Sequence, residues 1–484
     1  MNQNQSTVAQ AVDALKQGAR NKAVNLLQKD LAEGPRSGER WASVERLATQ
    51  IGEIDIALEA ARRFAKTQPM RLERVLHYWG SLAAHGRADL VVKEAAKLPD
   101  NVRAQSHVQH LLGTIATNRG DTEAAETHLR NAIKNSNFAP FSWFALAMIK
   151  TFSADDPDLA AMDALEEQAK QLPADPRSRF AYARAKAHFD AGNIDKAMEL
   201  YGEGAALRRT VEKMDLDQME KAVDALLDAW DSDAIKALTP STHKGSRAIF
   251  VNGLPRSGTT LVDSLLNAHS KVDGGAEINL VRPALLPVGG VMPQAAKGFE
   301  TRHSGDDPWG HLAEKYENLL EQRFGKGGHV VDKTLLQGQM VPLLFQMLPD
   351  ARMIWLRRDP EDMAWSTYRN YFASPVPWSW SFEDIARYYK IEDRVHAKMA
   401  ALFPEHILTV QYEELVQDPE TWIGKILDHV GLEHEDGIAD FHRADRDVQT
   451  ASVAQVREPI SASKIGQAKA IDTWLEPFRK VYNG

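Results

Sequence analysis

The residues best placed to do chemistry lie in Gly253-Leu254-Pro255-Arg256-Ser257-Gly258-Thr259-Thr260. An apolar run of strand character, 248–251, precedes them, and a helical pattern through Leu261, Leu265 and Leu266 follows. A strand, a glycine-containing loop and a helix start point backbone N–H groups at an anion. The spacing Gly253-x-x-x-x-Gly258 is that of a P-loop, but Thr259 stands where the nucleotide-binding lysine would be, and Arg256 sits inside the loop. The loop therefore suits a phosphate-like group without the usual ATPase cation. Arg358 ends a second apolar run, and its planar fork suits a terminal phosphate. Ser366, eight residues on, could offer a hydroxyl to the same phosphate if the chain bends back. Lys333 ends the run Val330-Val331-Asp332, where a strand of a parallel sheet would aim it into the cleft. Glu277 follows Gly274-Gly275, a glycine pair typical of a flexible site loop. Taken singly, Arg358 also fits a surface ion pair, Glu277 a cap and Lys333 a solvated strand end.

These residues need a sheet to hold them. Candidate strands are 247–252, 329–332, 352–357 and 407–411, separated by helical segments. That alternation predicts an α/β fold with a mostly parallel sheet. The first half is different. Gly18, Gly52, Gly86 and Gly120 recur every 34 residues, and Gly192 follows after two periods plus four. Five residues after each glycine stands Ala23, Ala57, Val91, Ala125 or Ala197. Pro35 and Pro69 follow the first two glycines at equal distance. Helix pairs with glycine turns and small residues at their crossings are expected, as in the tetratricopeptide family, which 110–125 resembles. The resemblance covers about 1–210 and includes a degenerate unit around Ala161 and Pro173. Residues 211–245 are less regular, with linker composition at 239–246. The expected domains are 1–240, an all-α solenoid, and 241–484, a P-loop-like α/β unit. Such arrays bind a peptide, another protein or a second copy of the chain. Charge pairs such as Arg62-Arg63 and Arg208-Arg209 read as solvated faces.

The α/β half resembles the sulfotransferase family. Pro255 to Thr260 matches the family's 5′-phosphosulfate loop, and Arg358-Asp359-Pro360 with Ser366 matches its 3′-phosphate motif. The stretches Pro255 to Glu277, Asp332-Lys333 and Tyr412 to Val416 look closest to tyrosylprotein sulfotransferases and to bacterial proteins that join tetratricopeptide repeats to such a domain. The resemblance implies 3′-phosphoadenosine 5′-phosphosulfate as donor and a hydroxyl acceptor, which could be a peptide tyrosine, a sugar, a lipid or a phenol. It makes Glu277 the general base, and it has Lys333 steady the sulfuryl oxygens and the leaving phosphate. Arg256, Ser257, Gly258, Thr259 and Thr260 would hold the donor with Arg358 and Ser366. Tyr412 would pack beside it, and Ser452 and Arg457 would lie on a loop closing over it. Sulfuryl transfer, like phosphoryl transfer, rests on positioning and charge stabilisation. A lone sulfuryl carries less charge than a γ-phosphate, which fits a site without a magnesium clamp.

Two rivals stand beside this: a P-loop kinase or NTPase, and a silent scaffold acting through its repeats. The missing lysine counts against the first, and the retention of Arg256, Glu277, Lys333 and Arg358 against the second. The 484-residue chain has no cysteine, a net charge of −9 and scattered histidines. These give no disulfide framework, no thiolate metal site and no electrostatic case for nucleic acid. The polar start at Met1 and the lack of a long apolar run predict a cytoplasmic protein without a membrane span.

Overall fold

The computed structural model describes residues 6–34, 38–136, 138–304, 306–335, 337–372, 375–443 and 458–484. From Thr7–Lys16 to Ile194–Val211 the chain runs in helices packed as neighbouring pairs. Gly18, Gly52, Gly86, Gly120 and Gly192 all sit at turns between paired helices, with φ between 72° and 81°. Only glycine adopts that left-handed turn without strain, so the spacing in the sequence is a spacing of turns. Ala23, Ala57, Val91, Ala125 and Ala197 are fully buried where the second helix of each pair crosses the first. Pro35 lies outside the described residues.

Among the described residues, the α/β half is built on five parallel strands: β1 (Ala248–Gly253), β2 (Val272–Ala276), β3 (His329–Asp332), β4 (Arg352–Arg357) and β5 (Ile407–Gln411), in the order β2-β3-β1-β4-β5. Side chains alternate between two cores. Ala248, Phe250, Val330, Met353 and Trp355 face the helices Pro308–Phe324, Val341–Met347 and Phe382–Leu402. Ile249, Val251, Val331, Ile354 and Leu356 face Thr259–Leu266 and Pro419–Val430. Burial on both faces explains why these strands read as unbroken apolar runs.

The sequence expectation missed β2. Asp273-Gly274-Gly275 is strand, not a flexible loop. A Cβ on Gly275 would lie 2.3 Å from the Val331 carbonyl oxygen, and Gly274 has φ 114° at a register shift. The glycine pair serves a close strand approach and a bulge.

Residues 211–245 are also more ordered than their composition suggests, forming the helices Leu216–Ala229 and Ser232–Lys236. Val223, Leu226, Trp230 and Leu238 join the core beneath the sheet, and the Trp230 indole donates to the Val291 carbonyl at 2.9 Å. The last helix pair of the array, Ala174–Asp190 with Ile194–Val211, shares a second core with Trp365, Trp378 and Trp380. There the Tyr182 hydroxyl donates to the Tyr368 carbonyl at 3.0 Å. Arg208, expected on a solvated face, instead lies over Tyr371 and Trp380 and pairs with Asp175 at 2.5 Å. No helix among the described residues is long and apolar enough to cross a membrane.

Candidate functional site

Each strand ends at one of the residues singled out in the sequence. Arg256 follows β1, Glu277 follows β2, Lys333 follows β3, Arg358 follows β4 and Tyr412 follows β5. All lie at the C-terminal edge, where the sheet's order reverses about β1 and parallel sheets bind ligands.

The loop after β1 is tightly specified. Gly253 leaves the strand at φ 148°, and a Cβ there would meet the Leu356 carbonyl oxygen at 2.9 Å. The buried Ser257 hydroxyl donates to the Leu254 carbonyl at 2.7 Å, closing the loop on itself. Arg256 takes φ 72°, an uncommon backbone state for a residue with a side chain. Gly258, at φ 104°, precedes the helix Thr259–Leu266, whose first turn carries no acidic residue. A Cβ on Gly258 would sit 2.6 Å from the Tyr412 ring, so only glycine lets the helix start abut that ring. The first N–H groups of this helix have no intrahelical carbonyl to meet, which favours an anion there.

Three guanidinium groups gather beside the loop. Arg256 Nε donates to Ser366 Oγ at 2.8 Å. Arg358 donates to the Arg256 carbonyl at 3.2 Å and to the Lys464 carbonyl at 2.7 Å, with its guanidinium 4.4 Å from the Tyr412 ring centre. Arg369 donates to Gln467 at 2.8 Å and lies over Trp365. Burial, followed by the charges of Arg369 and Arg358, pulls the Arg256 guanidinium down to about 9. Burial likewise lowers Arg369, and Arg358 adds to the effect. A polyanion beside Arg256 and Arg369 would offset the burial and repulsion that lower them. Arg256 and Arg358 line a cleft that Thr260, Tyr412 and Lys464 complete.

Arg369 and 458–464 were absent from the sequence expectation. Arg369 lies three residues after Ser366 at the same helix end, a spacing that puts both on one face and could have drawn notice. The sequence paired Ser366 with Arg358, whereas the structure bonds Ser366 to Arg256. Ser452 and Arg457 lie outside the described residues. For a ligand in this cleft, Arg358→Ala is expected to weaken binding by about 1.5–3 kcal/mol, the range for charge-assisted hydrogen bonds. Titration calorimetry with 3′-phosphoadenosine 5′-phosphate checks it, and affinity equal to wild type would remove Arg358 from the ligand set.

At the other side of the edge, Lys333 Nζ donates to Glu277 Oε1 at 3.1 Å. The lysine side chain is 1% exposed and the glutamate 46%, so a buried cation meets a half-exposed carboxylate. The structure thus joins two residues from separate strand ends into one pair. Asp332, fully buried beside them, accepts from Tyr316 and Thr334.

Behind the loop, Glu392 lines a small cavity with Leu254, Arg357 and Met363. Burial, reinforced by the charge of Asp393, raises its carboxyl from 4.5 to about 7. The folded state therefore holds a proton that the unfolded state has released between about pH 4.5 and 7. Stability falls as pH rises through that window, and the loss persists above it. Glu392→Gln is expected to gain about 3 kcal/mol over wild type at pH 8 relative to pH 4. Urea unfolding at the two pH values checks it, and a gain independent of pH would contradict a buried titrating carboxyl.

Residues 248–436 match the model of the Sulfotransferase family, so the α/β half carries a sulfotransferase-family domain. An uncharacterised protein of Aquifex aeolicus is 25% identical over 407 residues, 81% of this chain and 52% of its own length. The chain therefore spans about half the length of that relative. A protein-tyrosine sulfotransferase of Drosophila melanogaster is 22% identical over 194 residues, 39% of each chain. Among solved structures, the sulfotransferase domain of the Synechococcus olefin synthase aligns at 21% identity and a TM-score of 0.35, covering 48% of this chain and 90% of that one.

Proposed function

We propose that the α/β half transfers a sulfuryl group from 3′-phosphoadenosine 5′-phosphosulfate to an acceptor hydroxyl. The observation that carries this reading is the Glu277–Lys333 pair standing at the same sheet edge as the arginine-lined cleft. The loop amides and Arg256 suit the phosphosulfate, and the flanking cations suit a second phosphate on the same nucleotide. Glu277, half-exposed after β2, would take the acceptor proton as its oxygen attacks. Lys333 is placed to neutralise charge on the oxygens between which the sulfuryl moves. The sulfur–oxygen bond to the donor phosphate breaks as the bond to the acceptor oxygen forms.

The helical half serves, in this proposal, as a tetratricopeptide array that presents the acceptor or a protein partner, in a cytoplasmic protein. The relation to a protein-tyrosine sulfotransferase favours a peptide tyrosine as acceptor.

Two measurements test the reading. Calorimetry with 3′-phosphoadenosine 5′-phosphate in EDTA should show saturable binding. Binding that instead requires Mg²⁺, or that prefers ATP–Mg²⁺, would replace the proposal with a nucleotide kinase or NTPase. A screen of tyrosine peptides, sugars, lipids and phenols with labelled donor should then find the acceptor class.

A further inference from the structure

Asp332 ends β3, one residue before Lys333, and the donors that reach its carboxylate are neutral. The Tyr316 hydroxyl donates at 2.8 Å, the Thr334 hydroxyl at 2.6 Å, the Thr334 amide at 3.1 Å and the Gln337 side chain at 3.4 Å. Burial raises this carboxyl, and the bonds from Thr334, Tyr316 and Gln337 work against the rise. The Asp332–Thr334 bonds close a turn with Lys333 at its centre, which fixes the direction in which Lys333 leaves the strand.

Two connections run outward from that turn. The Thr334 hydroxyl also accepts the Asn279 backbone N–H at 2.8 Å, and Asn279 Nδ2 donates to the Glu277 carbonyl at 3.0 Å. One hydroxyl thus spends its donor on Asp332 and an acceptor position on the segment carrying Glu277. Asn279 is at φ 54°, a left-handed state that asparagine tolerates when its partners hold it. The Gln337 backbone N–H donates to Asn252 Oδ1 at 3.1 Å, and Asn252 is the residue before Gly253, where the anion loop begins. The ends of β1, β2 and β3 are thereby joined through side chains, although Glu277 and Thr334 lie far apart in sequence.

We propose that Thr334, oriented by the buried Asp332 carboxylate, is a positioning residue. It sets the Glu277 segment against the Lys333 turn, so that base and cation meet the reacting oxygens together. The proposal rests on the roles given above to Glu277 and Lys333. The Asn279–Thr334 bond lies at the exposed rim, where it governs the placement of one segment far more than the fold as a whole.

The test uses the full chain with Thr334→Val, which keeps the shape and removes the hydroxyl, and Thr334→Ser, which keeps the hydroxyl. With labelled donor and tyramine as an ordinary phenol, Thr334→Val should lose 10- to 100-fold in kcat. Its affinity for 3′-phosphoadenosine 5′-phosphate should stay within twofold, and Thr334→Ser should recover to within threefold of wild type. Amide hydrogen exchange at Asn279 should be at least tenfold faster in Thr334→Val and restored in Thr334→Ser. This second readout needs no acceptor. Unchanged Asn279 exchange in Thr334→Val, or unchanged kcat with the nucleotide bound, overturns the proposal. A serine variant as impaired as the valine one overturns it as well. Failure of wild type to bind the nucleotide would sink the sulfuryl-transfer reading instead, and the exchange result would still decide the role of Thr334.

Discussion

Glu277→Gln is expected to slow transfer to an ordinary phenol by ~10²–10⁴ while leaving nucleotide binding intact, the range for loss of a general base. Glutamine still accepts the hydrogen bond that Lys333 gives at 3.1 Å, so the local structure has little cause to move. What is lost is the capacity to take a proton. Lys333→Met, which keeps apolar bulk in a site only 1% exposed, should also slow transfer, through lost stabilisation of the charged oxygens. Acceptor acidity separates the two. An acidic phenol ionises without help, so Glu277→Gln should recover much of its rate on 4-nitrophenol, whereas Lys333→Met should not. The check is a rate series over phenols of graded pKa. Equal losses along the series in both variants would make Glu277 a structural partner of the lysine and require a base elsewhere.

A large effect on stability is expected at Trp230. Its side chain is fully buried among the helices under the sheet, and its indole is bonded to Val291. Trp230→Ala should cost ~3–5 kcal/mol, the usual range for emptying a large aromatic site. A cut near 240, where the composition is linker-like, leaves Trp230, Leu226 and Val223 on the far side from the core they fill. A fragment of 241–484 should therefore show no cooperative urea transition, and full-length Trp230→Ala should unfold with a lowered midpoint. A loss under 1 kcal/mol, together with a cooperative 241–484 fragment, would show that the two halves are energetically separate.

Four of the five strands were legible because burial on both faces demands continuous apolar residues, and such runs survive in the sequence as β-branched and aromatic stretches. β2 was not legible, because its composition answers to the Val331 carbonyl rather than to strand propensity. The site residues were legible one by one. Glycines, arginines and a lysine at strand ends carry their chemistry in their type and position. Their pairings were not, since which strand ends converge is set by sheet order. Arg256 with Ser366, and Glu277 with Lys333, are meetings of that kind. Asp332 looked like an ordinary neighbour of Lys333, and nothing in its local sequence announces the hydroxyls that Tyr316 and Thr334 bring to it. Arg208 misled for the complementary reason. A charged doublet on a helix is usually wet, and only the arrival of Tyr371 and Trp380 from a distant segment covers it.

The helical array touches the sheet domain at two separated places. Near its start, the Gly18 turn lies against Pro287 and the Gly52 turn against Leu280 and Pro283, while Glu53 pairs with both Arg20 and Lys315. Near its end, Tyr182 and Tyr201 are packed into the core around Trp365. Leu280 is three residues from Glu277, and Trp365 is next to Ser366. The array is in this respect a spring clamped at both ends, one clamp beside the carboxylate and the other beside the arginine cluster. The segment after β2 and the helix carrying Ser366 are therefore each packed against a different end of the same array.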